Sequence, residues 1–476
     1  MKFDLREEHV RAYLSLSAAI LFGAYLRLRN ITEEPLWLDE LFSVAVSQPE
    51  NSFSYVFHKT VSDVHPPFFQ MVLWVFYKVF GLSEMGGRYL SSFFGAVLIP
   101  AIFVLGRQIY NVRVGLYAAW LTAVNFYLIT YSQEIRSYQL LVLLTTLSFV
   151  FLIRAMRTLG WSNIFAYSVV AAFLVNTHYF GFLVVFAQAL LVLIDMLESP
   201  WDKRQLYRFG SAGLFIVLCL SPLLPHIHST LDRTDFWVPP PQDLFFIELF
   251  TLYFGNLFLS FVMGGLLIVL VAKCVASERP IAWLNLFALW VVVCIVVPYV
   301  RSVYFQPIIT MRNMIVLLPA VLMLLALALD FVKGLTIRVS LGALIFVFSM
   351  TPLFTEHKPV FTFWNQLKPT SEISDLVSGL IKKPVQWPMY ARQYLEFGMC
   401  FKFLGSSLSV RSEGQLKEDL VSKARPENFY YLVSRGAYSP DENFIKRYGV
   451  VLVEQIKVSD AVALKFHSLN LPVDGN

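Results

Sequence analysis

Apolar runs long enough to cross a bilayer, about 20 residues each, recur from Ala12 to about Thr355 and then stop. Few folds are open to such a chain. Inside hydrocarbon every backbone amide must find its partner within the protein, and for separate runs of this length that means helices. The composition agrees: at 57% hydrophobic and 15% charged over 476 residues, the chain is far more apolar than a soluble domain of its size. Beyond Thr355 polar and charged residues return at ordinary frequency. The chain therefore divides into a membrane domain, 1–355, and a soluble domain, 356–476.

Basic residues sort the loops. Arg107 with Arg113, Arg154 with Arg157, Lys203 with Arg204 and Arg208, Lys273 with Arg279, and Lys333 with Arg338 recur about every two crossings, as cytoplasmic turns should. The pattern predicts eleven transmembrane helices, near 12–29, 86–107, 114–132, 138–156, 162–179, 180–197, 209–228, 256–273, 281–300, 313–332 and 336–354. With a cytoplasmic N-terminus, the odd count leaves the C-terminal domain outside. No small-residue cleavage site follows the first run, which reads as a retained helix and not a signal peptide.

Residues 31–86 form the first outer loop. Phe68 to Phe80 is too short to cross at 1.5 Å per residue and has no basic cluster beyond it, so an interfacial helix is expected. Leu41–Val46 and Phe53–Val61 read the same way. The loop from His228 to Phe246, with Pro239-Pro240-Pro241, is outward and could cover a cavity. In the tail, Phe429–Val433 and Val450–Val453 have the look of buried strands and Gln415–Ala424 of a helix, which makes a mixed α/β module. Of four cysteines three lie in apolar runs and only Cys400 in the tail, so no disulfide framework or metal spacing is present. The net charge of +5 is what cytoplasmic loops supply and does not suggest nucleic acid.

Against this apolar background, ionisable groups at the outer membrane edge need a reason, since near hydrocarbon they are costly and often mark a substrate path or catalytic site. The outward set is Asp39, Glu40, His65, Gln133, Glu134, Arg136, His178, Tyr179, Arg301 and Arg312. Its members come from five separate places in the sequence. Several stand in short ordered strings: Leu36-Trp37-Leu38-Asp39-Glu40, His65-Pro66-Pro67, Gly87-Arg88-Tyr89-Leu90-Ser91, Tyr131-Ser132-Gln133-Glu134-Ile135-Arg136-Ser137-Tyr138 and Thr177-His178-Tyr179-Phe180-Gly181.

In this order and at these spacings the strings resemble the GT-C membrane glycosyltransferases, the group of protein O-mannosyltransferases, aminoarabinose transferases and galacturonosyltransferases. The likeness covers the first 200 residues well and the later helices by general plan. It implies the GT-C fold, a polyprenyl-phosphate-linked monosaccharide as donor, and transfer at the outer face of the membrane. It also implies an aspartate in the first outer loop acting near the acceptor, which falls on Asp39. Many relatives carry Arg then Tyr where this chain has Met311-Arg312-Asn313, so the arginine role passes to Arg312 and the neighbouring contact does not.

Transfer from a lipid phosphate needs a group to activate the acceptor hydroxyl and positive charge on the departing phosphate. A partly desolvated carboxylate is a good proton acceptor, which suits Asp39; the bland alternative is a helix cap, with the helix beginning at Glu40. Glu40 could hold a metal, orient the acceptor or complement a helix terminus. His65, fixed by the prolines that follow, is either a phosphate or metal contact or a plain turn histidine. Arg136 offers the planar fork that suits phosphate, while Glu134, with Gln133 and Tyr138 beside it, would orient sugar or acceptor; the alternative is an Arg/Glu pair at a helix end. Arg312 starts a helix, where a cation wants an anionic partner. Arg301 could equally be an interfacial anchor. His178 and Tyr179 are substrate contacts or buried bundle residues. No metal motif of fixed spacing is present, although a divalent cation held by Asp39, Glu40 and His65 is conceivable.

The sequence therefore predicts a multi-pass glycosyltransferase of a bacterial cytoplasmic membrane, with its site and C-terminal domain facing the periplasm. Its partners would be a polyprenyl-phosphate sugar, membrane lipid, and an acceptor that is lipid A or lipopolysaccharide, another envelope glycan, a lipid or a protein. A lipid-linked sugar flippase would need charges or broken helices near mid-membrane, often in paired halves, and no repeat is visible. An oligosaccharide ligase or polymerase differs only in what is moved.

Overall fold

The computed structural model describes residues 2–63, 65–198, 200, 202–231, 238–276, 284–354, 372–383, 386–422, 425–434, 440–458 and 460–469. Arg279, residues 232–237 of the expected outward loop, Ala424 at the end of the expected tail helix, and the expected domain boundary at 355/356 lie outside them. The described chain forms two compact units. One holds Met1–Ile31, Ser52–Phe76 and Gly87–Trp364; the other holds Thr32–Asn51, Tyr77–Gly86 and Asn365–Asn476.

The first unit is helical. After α1 (Lys2–Leu28), the loop helices are α2 (Leu38–Val46), which belongs to the second unit, α3 (Phe53–Ser62) and α4 (Phe68–Phe80), whose last residues also do, at the three places the sequence marked. Then come α5 (Gly86–Ile109), α6 (Val112–Val124), α7 (Phe126–Ser132), α8 (Tyr138–Thr158), α9 (Trp161–Val175), α10 (Phe180–Glu198) and α11 (Lys203–Leu220). The series continues through α12 (Leu224–Leu231), α13 (Phe245–Phe254), α14 (Leu257–Ala276), α15 (Leu284–Tyr304), α16 (Leu318–Phe331) and α17 (Leu335–Phe354). Helix stands in all eleven expected crossing segments. Among the described residues, eight helices are long and apolar enough to span a membrane, or nine with α6 and α7 taken as one bent span. The other two segments are α1, which begins in charged residues, and α9, only 15 residues long.

Two expected helices are interrupted. The segment 114–132 breaks at Asn125, where α6 and α7 meet at 57°. Asn125 causes the break in the manner of a helix cap: its Oδ1 accepts from the Leu128 N–H at 2.9 Å, and its Nδ2 donates to the Tyr253 carbonyl at 2.9 Å. The segment 162–179 ends at Val175, and residues 176–179 form a tight link into α10. Helix α13 has no counterpart in the sequence reading.

The break leaves carbonyls at the end of α6 without helical partners. Arg27, in the last turn of α1 and with no exposed surface, supplies them. Its guanidinium donates to Thr122 O at 3.0 Å, Ala123 O at 3.1 Å and Gly23 O at 2.9 Å. Gly95 of α5 makes room for it, since a Cβ there would lie 2.8 Å from Arg27 Nε and would strike Ser132 Oγ.

The second unit is built on a mixed sheet ordered β2-β1-β3-β5-β4. Its strands are β1 (Met389–Ala391), β2 (Val410–Ser412), β3 (Asn428–Ser434), β4 (Val450–Val458) and β5 (Ala461–Ser468). Strand β1 runs parallel to β2 and β3, and β5 runs antiparallel to β3 and β4. The helices are α18 (Glu372–Ile381), α19 (Tyr394–Phe403), α20 (Glu413–Val421) and α21 (Glu442–Tyr448). Phe429, Tyr431, Val433, Val450, Leu464 and Phe466 form the core with Leu416 and Leu420 of α20. Val450–Val453 was expected to be buried, but only Val450 is; β4 is an edge strand, and Val451, Leu452 and Val453 are exposed. The grouping also departs from a division into two consecutive blocks: residues 32–51 and 77–86 of the first outer loop cluster with the tail.

Candidate active site

The candidate residues divide between the units. His65, Gln133, Glu134, Arg136, Tyr138, His178, Tyr179 and Arg312 belong to the helical unit, whereas Asp39 and Glu40 belong to the other.

Within the helical unit the centre is Arg136, buried at 6% exposure just past the end of α7. Its Nη2 meets His65 Nε2 at 2.9 Å. A guanidinium can only donate, so Nε2 of His65 is the acceptor and the imidazole is neutral with its proton on Nδ1. Asp63 Oδ2 lies 4.0 Å from the same nitrogen. An ion pair there would need a proton on Nε2, which the shorter arginine contact forbids. The His65 ring stacks on His178 with centroids 6.4 Å apart, and Tyr138 lies 6.0 Å from His178 on another side.

His178 sits in the link between α9 and α10. The Phe180 N–H donates to its Nδ1 at 3.1 Å, so the proton is on Nε2 and this ring is neutral as well. Burial holds the imidazole down to about 3, and the charge of neighbouring Arg136 pushes in the same direction. Its side-chain partner is Asn313, whose Nδ2 is already given to Ile308 O at 3.2 Å. The Asn313 Oδ1 therefore takes the Nε2 proton. Gly181 is required by the tightness of this link, because a Cβ on it would lie 2.6 Å from the Leu174 carbonyl oxygen.

Arg312 opens the 3-10 turn Asn313–Leu317 that leads into α16. Three ring donors pin that turn. Tyr127 Oη donates to Met311 O, Tyr253 Oη to Met314 O at 2.6 Å, and Trp290 Nε1 to Val316 O at 3.1 Å. A tyrosine ladder runs from Tyr127 through Tyr131 to Tyr138, with centroid spacings of 4.7 and 5.0 Å, and ends at His178. Arg312 acts electrostatically on Tyr127 and Tyr131 from beside it.

Other residues of the quoted strings tie segments together. Gln133 Nε2 donates to Arg27 O at 3.1 Å and Arg29 O at 2.7 Å, and Ser92 Oγ donates to Ser132 O at 2.9 Å, so the end of α7 is tied to α1 and α5. Arg88, from the Gly87-Arg88-Tyr89 string, donates to Ile31 O at 3.0 Å. Tyr179 stacks on Phe182 at 6.3 Å. Glu134 is buried beside Arg136, and the Arg136 N–H donates to its backbone carbonyl at 2.8 Å.

In the second unit α2 begins at Leu38, with Trp37 as its cap residue, so Asp39 is inside the first turn and is not the cap. Glu40 does that work: fully buried, its Oε2 accepts from the Trp37 N–H at 3.4 Å. Asp39 is left half-buried. Among the described residues no group of three or more His, Cys, Asp or Glu side chains could hold a metal ion, and the conceivable set Asp39, Glu40 and His65 is not such a group.

Sequence reasoning missed Arg27, Tyr127, Tyr253 and Asn313 as supports. Only Arg27 had a signal, an arginine inside an apolar run.

A profile of the family described as dolichyl-phosphate-mannose-protein mannosyltransferase matches residues 64–226. No curated protein matches by sequence. Among solved structures, ArnT from Cupriavidus metallidurans in the apo state is similar at 12% identity and a TM-score of 0.62, over 96% of this chain and 98% of that one. The same protein bound to undecaprenyl phosphate gives 12% identity and a TM-score of 0.60, over 95% and 97%. The arabinofuranosyltransferase AftD from Mycobacteria gives 12% identity and a TM-score of 0.52, over 96% of this chain and 40% of that one. The chain has the fold that these membrane proteins share.

Proposed function

We propose that the protein transfers a single sugar from a polyprenyl-phosphate donor to an acceptor on the outer face of a bacterial cytoplasmic membrane, with inversion. The acceptor is an envelope lipid or glycan, lipid A and lipopolysaccharide included, or a protein; the C-terminal module faces the periplasm. In this reading Arg136 and Arg312 bind the phosphate that leaves, and Asp39 takes the proton of the attacking hydroxyl. One displacement at the anomeric carbon inverts it.

The observation that carries the reading is Arg136 flanked by two neutral histidines. Both imidazoles are uncharged, so neither sets a second cation against the guanidinium, and the planar fork of arginine matches a phosphate. The solved ArnT complex with undecaprenyl phosphate supports the choice of a polyprenyl phosphate.

The test is release of free polyprenyl phosphate from a panel of polyprenyl-phosphate sugars by the purified protein with envelope extract as acceptor. One donor should be consumed by the wild type. Asp39→Asn should lose about a hundredfold to ten-thousandfold in turnover, the usual range for a general base. Arg136→Ala should weaken donor binding. A panel in which no donor is consumed rejects the reading, and a product that retains the donor's anomeric configuration rejects the single displacement.

A further inference from the structure

Asp39 is half-buried on a helix that is otherwise locked in place. On α2 the residues Glu40, Leu41, Val44, Ala45 and Val46 are buried. Glu40 seals its first turn. At the other end the Asn51 amide donates to Ala45 O at 3.1 Å and Val46 O at 2.8 Å. The principal packing partner of α2 is α19, from the C-terminal module. Phe397, Met399, Cys400 and Phe401 of α19 are buried, and Lys402 Nζ donates to Gln48 Oε1 at 3.0 Å just past the end of α2. Helix α19 in turn packs on α18, β1 and β2.

The carboxylate proposed as the base is thus borne by a helix of the first outer loop but held by residues more than 350 positions later. Of the two titratable side chains on α2, Glu40 is buried in the cap and Asp39 is half-buried. A helix capped at both ends and packed along one side fixes its first turn, and a misplacement of about 1 Å in a reacting group costs on the order of a hundredfold in rate.

We propose that α19 is a positioning platform for Asp39: Lys402, and the packing of α2 on α19, set where the Asp39 carboxylate stands. The C-terminal module is then part of the catalytic apparatus and not an appended binding domain. This rests on Asp39 acting as the base.

The test is a double-mutant cycle in the full-length protein, read with a radiolabelled donor. Val44→Ala and Lys402→Met should each lower kcat about tenfold while leaving polyprenyl phosphate affinity at the wild-type level, since the phosphate-binding arginines belong to the other unit. A general loss of structure would weaken binding too. In the Asp39→Asn background neither substitution should lower the residual turnover further, because each acts through that carboxylate. Losses that multiply with Asp39→Asn overturn the proposal, as does wild-type kcat in both variants. Should Val44→Ala fail to fold, Lys402→Met, at the surface, carries the cycle alone. Full turnover in Asp39→Asn would show that the base assignment has failed, and the single variant reveals that before the cycle is read.

Discussion

Arg136 gives His65 a hydrogen bond of 2.9 Å, and since arginine has nothing but donors, the histidine must be the acceptor. His65 therefore aims the guanidinium and does not itself present Nε2–H to a phosphate.

A side chain that can accept at the same place should replace it. His65→Gln, which keeps a carbonyl oxygen within reach, should retain kcat/KM within about threefold, while His65→Phe should lose about tenfold to a hundredfold through a mis-set Arg136. Steady-state kinetics on donor release decides it. Equal losses in the two variants would mean that the histidine has a role of its own at the substrate.

Arg27 predicts a stability effect far from any substrate. Arg27→Met leaves the Thr122 and Ala123 carbonyls buried without their donors at the bend between α6 and α7, at a cost of about 1–3 kcal/mol for each group. Gly95→Ala should be similarly harmful, because its Cβ would meet Ser132 Oγ and Arg27 Nε. Both variants should lower the thermal midpoint in detergent. An Arg27→Met protein as stable as wild type would mean that water satisfies those carbonyls.

The helices were legible because hydrocarbon dictates their length, and the Arg/Lys clusters punctuate them. The break at Asn125 was not. Asparagine within an apolar run reads as a tolerated polar residue until Arg27, about a hundred positions earlier, is seen to take the released carbonyls. The strings around Arg136 and His178 were visible as chemistry, yet the neutral tautomer of His65 depends on Arg136 from a distant segment, and that of His178 on a tight link that turns the Phe180 N–H onto its ring. For Asp39 and Glu40 the sequence could not say which one capped. The answer depended on whether the helix began at Leu38 or Glu40, a two-residue difference that exchanged the roles of two adjacent carboxylates.

The tyrosines that pin the turn after Arg312 should act through donor affinity. Tyr127→Phe removes the bond to Met311 O, and Tyr253→Phe the bond to Met314 O, on either side of the arginine. Loss of about 1 kcal/mol of positioning corresponds to roughly a fivefold weaker interaction with polyprenyl phosphate. A binding titration would show it. Unchanged affinity in both variants would place Arg312 outside the phosphate site or show that the remaining donors suffice to hold the turn.

His178 makes a pH prediction whose direction is fixed by its surroundings. Burial first, and then the charge of Arg136, hold its folded value to about 3, against 6.5 for an ordinary histidine. Between those values the unfolded chain binds a proton that the folded chain refuses. Its contribution to stability is therefore full above about 6.5 and is lost progressively as the pH falls towards 3. Other groups titrate in that window, so the informative quantity is the difference in thermal midpoint between wild type and His178→Gln. Glutamine can keep the bond to Asn313 but cannot take up the proton. The wild type's advantage over the variant should shrink between pH 7 and pH 4.5. A difference that stays constant across that range would mean that His178 is protonated in the fold. The Phe180 N–H would then have lost its acceptor, and Arg136 would stand beside a second positive charge.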